Sequence, residues 1–163
     1  MEIELCGYKV QIDEEDYERV MALKWGVDTS ALRRGLGVYF IHTYFDKFGI
    51  HNKYNIYLHR HIMHSEYKDG IIIDHKDGNT LDNRKSNLRR CNRTENNRNR
   101  KISKVNTSGY KGVDFCKSNK KYQARIAVDN VRIHLGYFKT PEEAYAAYCE
   151  ASNKYHGDFG RVK

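Results

Sequence analysis

Residues 71–97, Ile71 to Asn97, read IIIDHKDGNTLDNRKSNLRRCNRTENN, and the organisation of the whole chain turns on this stretch. Ile71, Ile72 and Ile73 form a dense apolar strand that ends on two polar groups, Asp74 and His75,. Lys76 to Thr80 supplies a Gly-Asn turn, and after the loop at Asn83 a second short strand covers Leu88 to Cys91,. Thr94 is placed to cap a helix beginning with Glu95, Asn96 and Asn97,. The expected order is strand, loop, strand, helix.

That order has a chemical consequence. Neighbouring residues of a strand point in different directions, so Asp74 can offer a carboxylate to a metal while His75 aims an imidazole at water. Hydrolysis of a phosphodiester needs such a base, together with a Lewis acid that holds the phosphate and stabilises the leaving oxygen. Asn96 can bring a carboxamide oxygen to the same ion. An all-oxygen donor set favours magnesium or manganese over zinc, and an imidazole with a pKa near 6.5 accepts a proton at neutral pH without much tuning. Singly, each residue also has a plain structural reading: an Asp-His pair before a turn is commonly a surface loop, and an Asn in a first helical turn is commonly a cap.

The charge distribution adds weight. Arg84, Lys85, Arg89, Arg90, Arg93, Arg98, Arg100, Lys101 and Lys104 stand against a single acid, Glu95, whereas the first twenty residues hold Glu2, Glu4, Asp13, Glu14, Glu15, Asp16 and Glu18. Net charge is +8 and the sequence pI is about 9.3, so the summed field attracts polyanions and helps displace their counterions. Nucleic acid is the leading partner, with a merely solvated basic surface as the alternative.

Outward from the centre, Ile3, Leu5, Tyr8 and Val10 suggest a short strand or two, and Asp13 is expected to cap a helix through Glu14 to Ala22 with Trp25 packing after it,. Val38 to Phe45 and Tyr54 to Leu58 flank a turn at Gly49 to Lys53 and suggest a hairpin, followed by a helix over Leu58 to Glu66,. Beyond a boundary at Asn106 to Gly109 lie three strand-like stretches, Tyr110 to Cys116, Tyr122 to Val128 and Val131 to Phe138, with Asn119 and Asn130 in the turns,. Thr140 and Pro141 start a helix whose Ala144, Tyr148 and Ala151 share one face, so the helix covers one side of a three-stranded sheet and leaves the other open,.

Alternation places Tyr122, Ala124, Ile126 and Val128 on one side and Gln123, Arg125 and Ala127 on the other, with Arg132 and His134 joining the latter from the next strand,. A length of 163 residues fits one ordinary domain or two small ones,. With 39% hydrophobic and 31% charged residues and a mean hydropathy of -0.84, a soluble folded protein is expected,. Cys6, Cys91, Cys116 and Cys149 form no CxxC pair and read as free thiols,. With no secretory signal and no run long enough for a membrane span, a cytoplasmic location is expected.

The segments Leu58-His59-Arg60, Ile73 to Asn79, Leu81 to Arg84, Ser86 to Arg89 and Glu95 to Asn99 resemble the HNH endonucleases of bacteriophages, including homing endonucleases of introns. The resemblance implies a ββα-metal (His-Me) finger that cuts DNA. By position, His75 matches the general base, Asp74 the adjacent metal-binding carboxylate, and Asn87 the central asparagine that orients loop and base. Asn96 matches the last motif position, a second protein ligand for Mg2+ or Mn2+, with Asn97 as the fallback if the register shifts. His59 and Arg60 match the segment before the finger, His59 to position the fold and Arg60 to contact phosphate, with a buried structural role as the alternative for either. Arg84, Arg89, Arg93 and Arg98 of the basic stretch are candidate backbone contacts.

A second resemblance, to the AP2 domain, rests on Asn106 to Val113, Tyr122 to Ile126, His134 to Phe138 and Glu142 to Tyr148. It implies that the open sheet face enters the DNA major groove, with Gln123, Arg125, Arg132 and His134 reading bases or phosphates and Lys111 meeting phosphate. Asp114 and Cys116 depart from the strongly basic pattern of plant members, and Tyr122 stands where tryptophan is common.

The expected fold is therefore α+β: an HNH domain with an N-terminal α/β scaffold over residues 1–103, then, over 104–163, an AP2-like three-stranded antiparallel sheet packed on one helix. The partner is double-stranded DNA, with a monomer expected and a dimer left open. A single finger implies nicking and a 3′ hydroxyl product. A catalytically inactive DNA-binding regulator is the alternative, and an RNA-binding structural protein a third.

Overall fold

The computed structural model describes residues 1–44, 54–65, 70–100, 102, 105–129 and 131–162. The expected turn at Gly49 to Lys53 and the residues Phe45, Glu66, Lys101, Lys104 and Asn130 lie outside that set. The chain forms two compact units, Met1–Asn92 and Arg93–Lys163.

The first unit begins with a hairpin. Alternation in β1 (Glu2–Leu5) turns Ile3 and Leu5 inward, and β2 (Tyr8–Gln11) pairs with it antiparallel from Glu2↔Gln11 to Leu5↔Tyr8,. Cys6 and Gly7, both at positive φ, make the two-residue turn,. The helix expected from Asp13 is different in detail: a 3-10 turn at Glu14–Asp16 runs into a short α1 (Tyr17–Met21), and Asp13 makes no side-chain cap. Its Oδ2 instead accepts from the backbone N–H of Lys85 at 2.7 Å, a long-range bond that local pattern reading cannot anticipate. Trp25 does pack after α1, donating Nε1–H to Val20 O at 2.8 Å.

Two further elements were not expected, β3 (Gly26–Val27) and α2 (Thr29–Arg33). β4 (Phe40–Tyr44) and β5 (Tyr54–Tyr57) form the expected antiparallel pair, in a sheet of order β3-β4-β5. α3 spans only Leu58–Ile62. β6 (Ile72–His75) and β7 (Leu88–Cys91) pair antiparallel, with Asp74↔Arg89 and His75↔Leu88 in register. Ile3, Leu5, Val10, Ile12, Val20, Phe40, Leu58, Ile62, Ile73 and Leu88 share one core. The N-terminal hairpin also grips the β6–β7 loop, because Gln11 N–H donates to Leu81 O and Gln11 O accepts from Asn83 N–H, each at 2.8 Å.

In the second unit α4 runs Arg93–Arg98, so Thr94 lies in its first turn rather than before it. β8 (Val113–Cys116), β9 (Lys121–Val128) and β10 (Val131–Phe138) form an antiparallel meander. α5 (Pro141–His156) opens on a capping box between Thr140 and Glu143, a motif worth about 1 kcal/mol,. Its Ala144, Tyr148 and Ala151 are buried with Val113, Ala124 and Ile126. Among the described residues no helix is long and apolar enough to cross a membrane.

Candidate active site and nucleic-acid interface

Alternation along β6 decides what its last two residues do. Ile73 and His75 share the inward face, and His75 is only 4% exposed, while Asp74 points the other way,. His75 Nε2 lies 3.2 Å from Asn83 Oδ1. Asn83 donates its own Nδ2–H to Thr80 O at 3.2 Å, which makes Oδ1 the acceptor and places the imidazole proton on Nε2,. The basic lone pair is then on Nδ1. Burial lowers the His75 pKa below 6.5, against the opposite pull of Asn83 and of Asp74, Asp77 and Asp82, so the ring is neutral at neutral pH,.

Two aromatic rings pack beside this site, His59 of the segment that precedes the finger and Tyr39, which carried no signal in the sequence. His59 sits with its ring centroid 5.3 Å from that of His75, and Tyr39 stands edge-on at 6.1 Å from His75 and 5.6 Å from His59. Burial, with the neighbouring His75 and Arg60, lowers His59 to about 3, so it stays an uncharged wall. Burial and the Asp74 carboxylate raise the Tyr39 hydroxyl.

Asp74 faces Arg89 across the strand pair, with Nη2 at 2.8 Å and Nε at 3.1 Å from Oδ2. Asn87 closes the loop between the strands: its Oδ1 accepts from Asp77 N–H at 3.2 Å and its Nδ2–H donates to Asp82 O at 2.9 Å. Asp82 takes the Arg84 guanidinium as a fork at 2.8 and 2.6 Å, and this contact holds its carboxyl below the usual range,.

The candidate cations thus divide. Arg60 is buried and donates Nη1–H to Ile71 O at 2.7 Å, and Arg89 is spent on Asp74. Arg60 lies on the core side of α3, whereas Arg89 shares with Asp74 the face of the β6–β7 pair opposite His75 and is shielded there by the ion pair. Arg84 is half-exposed and Arg93 is exposed on α4. Arg98 pairs with Asp129 at 3.2 Å. Lys111 donates to Arg98 O at 2.6 Å and Arg100 O at 3.0 Å, satisfying carbonyls at the end of α4, and burial lowers it to about 8,. Asn96 is half-buried and Asn97 exposed on α4.

On the sheet of the second unit, register places Gln123, Arg125, Arg132 and His134 on the face opposite α5. A bulge between His134 and Gly136 brings Tyr137 opposite Gln123 on that face, and the His134 ring lies 4.6 Å from the Tyr137 ring,. Arg125 pairs with Asp114 across β8 and β9.

Asp74 carries a carboxylate, a hard oxygen donor of the kind magnesium or manganese takes. Among the described residues no group of three or more His, Cys, Asp or Glu could hold a metal. Asn83 and Tyr39 are the site residues that sequence reasoning missed. Asn83 stands inside a recognised motif segment, whereas Tyr39 carries no local signal.

The family model for HNH endonuclease matches residues 56–98, the segment holding Tyr57 to Arg60, His75, Asn87 and Asn96. The chain is similar to protein 3.8 of Escherichia phage T7, with 32% identity over 109 residues, which is 64% of this chain and 89% of that protein. No solved structure matches it significantly.

Proposed function

Since the chain belongs to the family of protein 3.8 of Escherichia phage T7 and carries an HNH-type nuclease domain, we propose that it is a metal-dependent, site-directed endonuclease that nicks double-stranded DNA. The observation that carries the reading is the buried, neutral imidazole of His75, its Nε2–H held by Asn83, at the strand end beside Asp74 and inside the matched segment. His75 Nδ1 takes a proton from water, the water oxygen attacks phosphorus, and the bond to the 3′ oxygen breaks as that oxygen takes up a proton from solvent, leaving a 3′ hydroxyl and a 5′ phosphate. By motif position Asp74, with Asn96 as a second ligand, would hold a divalent ion, Mg2+ or Mn2+, which would supply Lewis-acid stabilisation of the phosphate and the leaving oxygen. Asn87 keeps the loop and therefore the base in place.

Residues 1–103 act as the nuclease part and residues 104–163 as an AP2-like DNA-binding part. Arg84, Arg93 and Arg98 meet backbone phosphates, and Gln123, Arg125, Arg132 and His134 face the major groove. One site performs one hydrolysis, so a monomer nicks.

The hold of Arg89 on Asp74 favours a second reading, an inactive finger that clamps DNA for a regulatory role. Incubation with supercoiled plasmid and Mg2+ or Mn2+ separates the two. Conversion to open circles, abolished in His75→Ala with duplex binding retained, is the expected result; binding without any cutting over a range of metals and sequences would leave the regulator.

A further inference from the structure

The segment from Asp28 to Tyr39 is built as a bracket on the first unit, fastened by hydrogen bonds at both ends. Asp28 Oδ1 caps α2 by accepting from Ser30 and Ala31 N–H at 3.0 and 3.1 Å, and its Oδ2 accepts from Tyr57 O–H at 3.0 Å. The far end is closed by Gly35 N–H to Leu32 O at 2.9 Å and Leu36 N–H to Ala31 O at 3.1 Å,. The chain then docks on the loop that follows His75: Val38 N–H donates to Thr80 Oγ1 at 3.0 Å, and Gly37, at positive φ, backs onto Thr80 too closely to admit a Cβ,. Ala31 is buried, yet residues 32–36 are all exposed.

On this bracket stand Arg33 and Arg34. Each folds its Nε–H back onto a carbonyl one turn earlier, Thr29 O and Ser30 O at 3.3 Å, and among the described residues neither has an acidic partner. This contrasts with Arg84, Arg89, Arg98 and Arg125, each of which faces a carboxylate. Tyr39, whose ring lies beside His75, is five positions after Arg34, so the two Cα atoms are at most roughly 18 Å apart,. At about 3.4 Å per phosphate along one strand, that is about five base steps.

We propose that Arg33 and Arg34 form a backbone clamp for duplex DNA, neutralising phosphates within a few base steps of the one presented to His75. The clamp rests on the endonuclease reading for what lies at His75, and charge complementarity selects its occupant. Phosphate contacts of this kind set position rather than sequence preference. The dipole of α2 also favours cations at this end, a structural role with a different signature.

The test measures binding of a fluorescent duplex to the full chain without divalent metal, over salt from about 50 to 200 mM. For the double variant Arg33→Ala/Arg34→Ala the slope of log K against log salt falls in magnitude by about 1.8, two phosphates at about 0.9 each, so salt costs it roughly tenfold less affinity than wild type. Arg33→Lys/Arg34→Lys retains the wild-type slope. A lower melting temperature with an unchanged slope overturns the clamp in favour of the dipole role, and an unchanged slope with a new oligomeric state overturns it in favour of a protein partner. Wild-type protein that binds duplex but never nicks sinks the endonuclease reading instead, and the slope reports on the clamp independently of that result.

Discussion

Asp74 and Arg89 stand directly opposite each other in the β6–β7 register, and two nitrogens of the guanidinium converge on a single carboxylate oxygen. With side chains only 12% and 9% exposed, the pair is shielded from water, so its members cannot be treated separately,. The carboxylate proposed to hold an ion already has a cation beside it, and Arg89 must share or yield when that ion arrives.

Removing that cation is therefore costly. Arg89→Met lowers the free energy of unfolding by about 3 kcal/mol, because it leaves the shielded charge of Asp74 without its guanidinium. The double variant with Asp74→Asn recovers part of the loss, and a denaturant double-mutant cycle should show coupling of about 1 kcal/mol or more. Strict additivity would mean that the pair contributes nothing as a pair.

Asn83 governs the tautomer of His75. Asn83→Ala cuts the nicking rate about tenfold or more while leaving duplex affinity within about twofold, as expected when the orienting partner of a reactive imidazole is lost,. Asn83→Asp places a carboxylate at Nε2–H, stabilises the imidazolium and raises the His75 pKa. The base form is then lost at a higher pH, so the acid limb of the rate profile moves upward relative to wild type. A limb that stays put or moves down would refute the assignment.

Gly112 admits no side chain. It sits at φ +74, and a Cβ there would collide with the Tyr148 ring and lie 2.8 Å from Arg125 O. Backbone strain and overpacking together put the cost of Gly112→Ala at about 3 kcal/mol or more. Thermal melting of the full chain should show an early transition; an unshifted melt would refute the close approach of α5 to the sheet.

Lys111 makes stability depend on pH. Burial, and then the charge of Arg161, lowers its folded pKa to about 8, below its ordinary 10.5. Between those values the unfolded chain binds the proton and the folded chain does not, so stability from this group rises with pH across the interval. Over pH 8 to 10 the wild type should gain stability relative to Lys111→Met, which carries no titrating group. A difference that is flat or falls with pH would show that the amine is better solvated than its contacts with Arg98 O and Arg100 O imply.

Much of this was legible from short-range pattern. The isoleucine run ending in Asp74 and His75, the strand at Leu88 to Cys91, the three C-terminal strands and the Thr140 cap were all readable, because each depends on residues within a turn or a few positions,. The alternation that put Gln123 and Arg125 on the open face held for the same reason. α2 escaped notice because five residues offer too little periodicity, and Asp13 misled because the partner of its carboxylate lies far along the chain.

What the sequence determined by itself was a list of chemical groups and their local order: a base, an acid and two asparagines on strand, loop and helix, followed by a basic sheet. Tertiary structure alone decided which way the groups face. It turned Arg60 inward, committed Arg89 to Asp74, set Tyr39 against His75, and gave the imidazole its tautomer through Asn83. The physical reason is that composition and periodicity report preferences of neighbours along the chain, whereas burial and hydrogen-bond partners arise only when segments tens of residues apart close on one core.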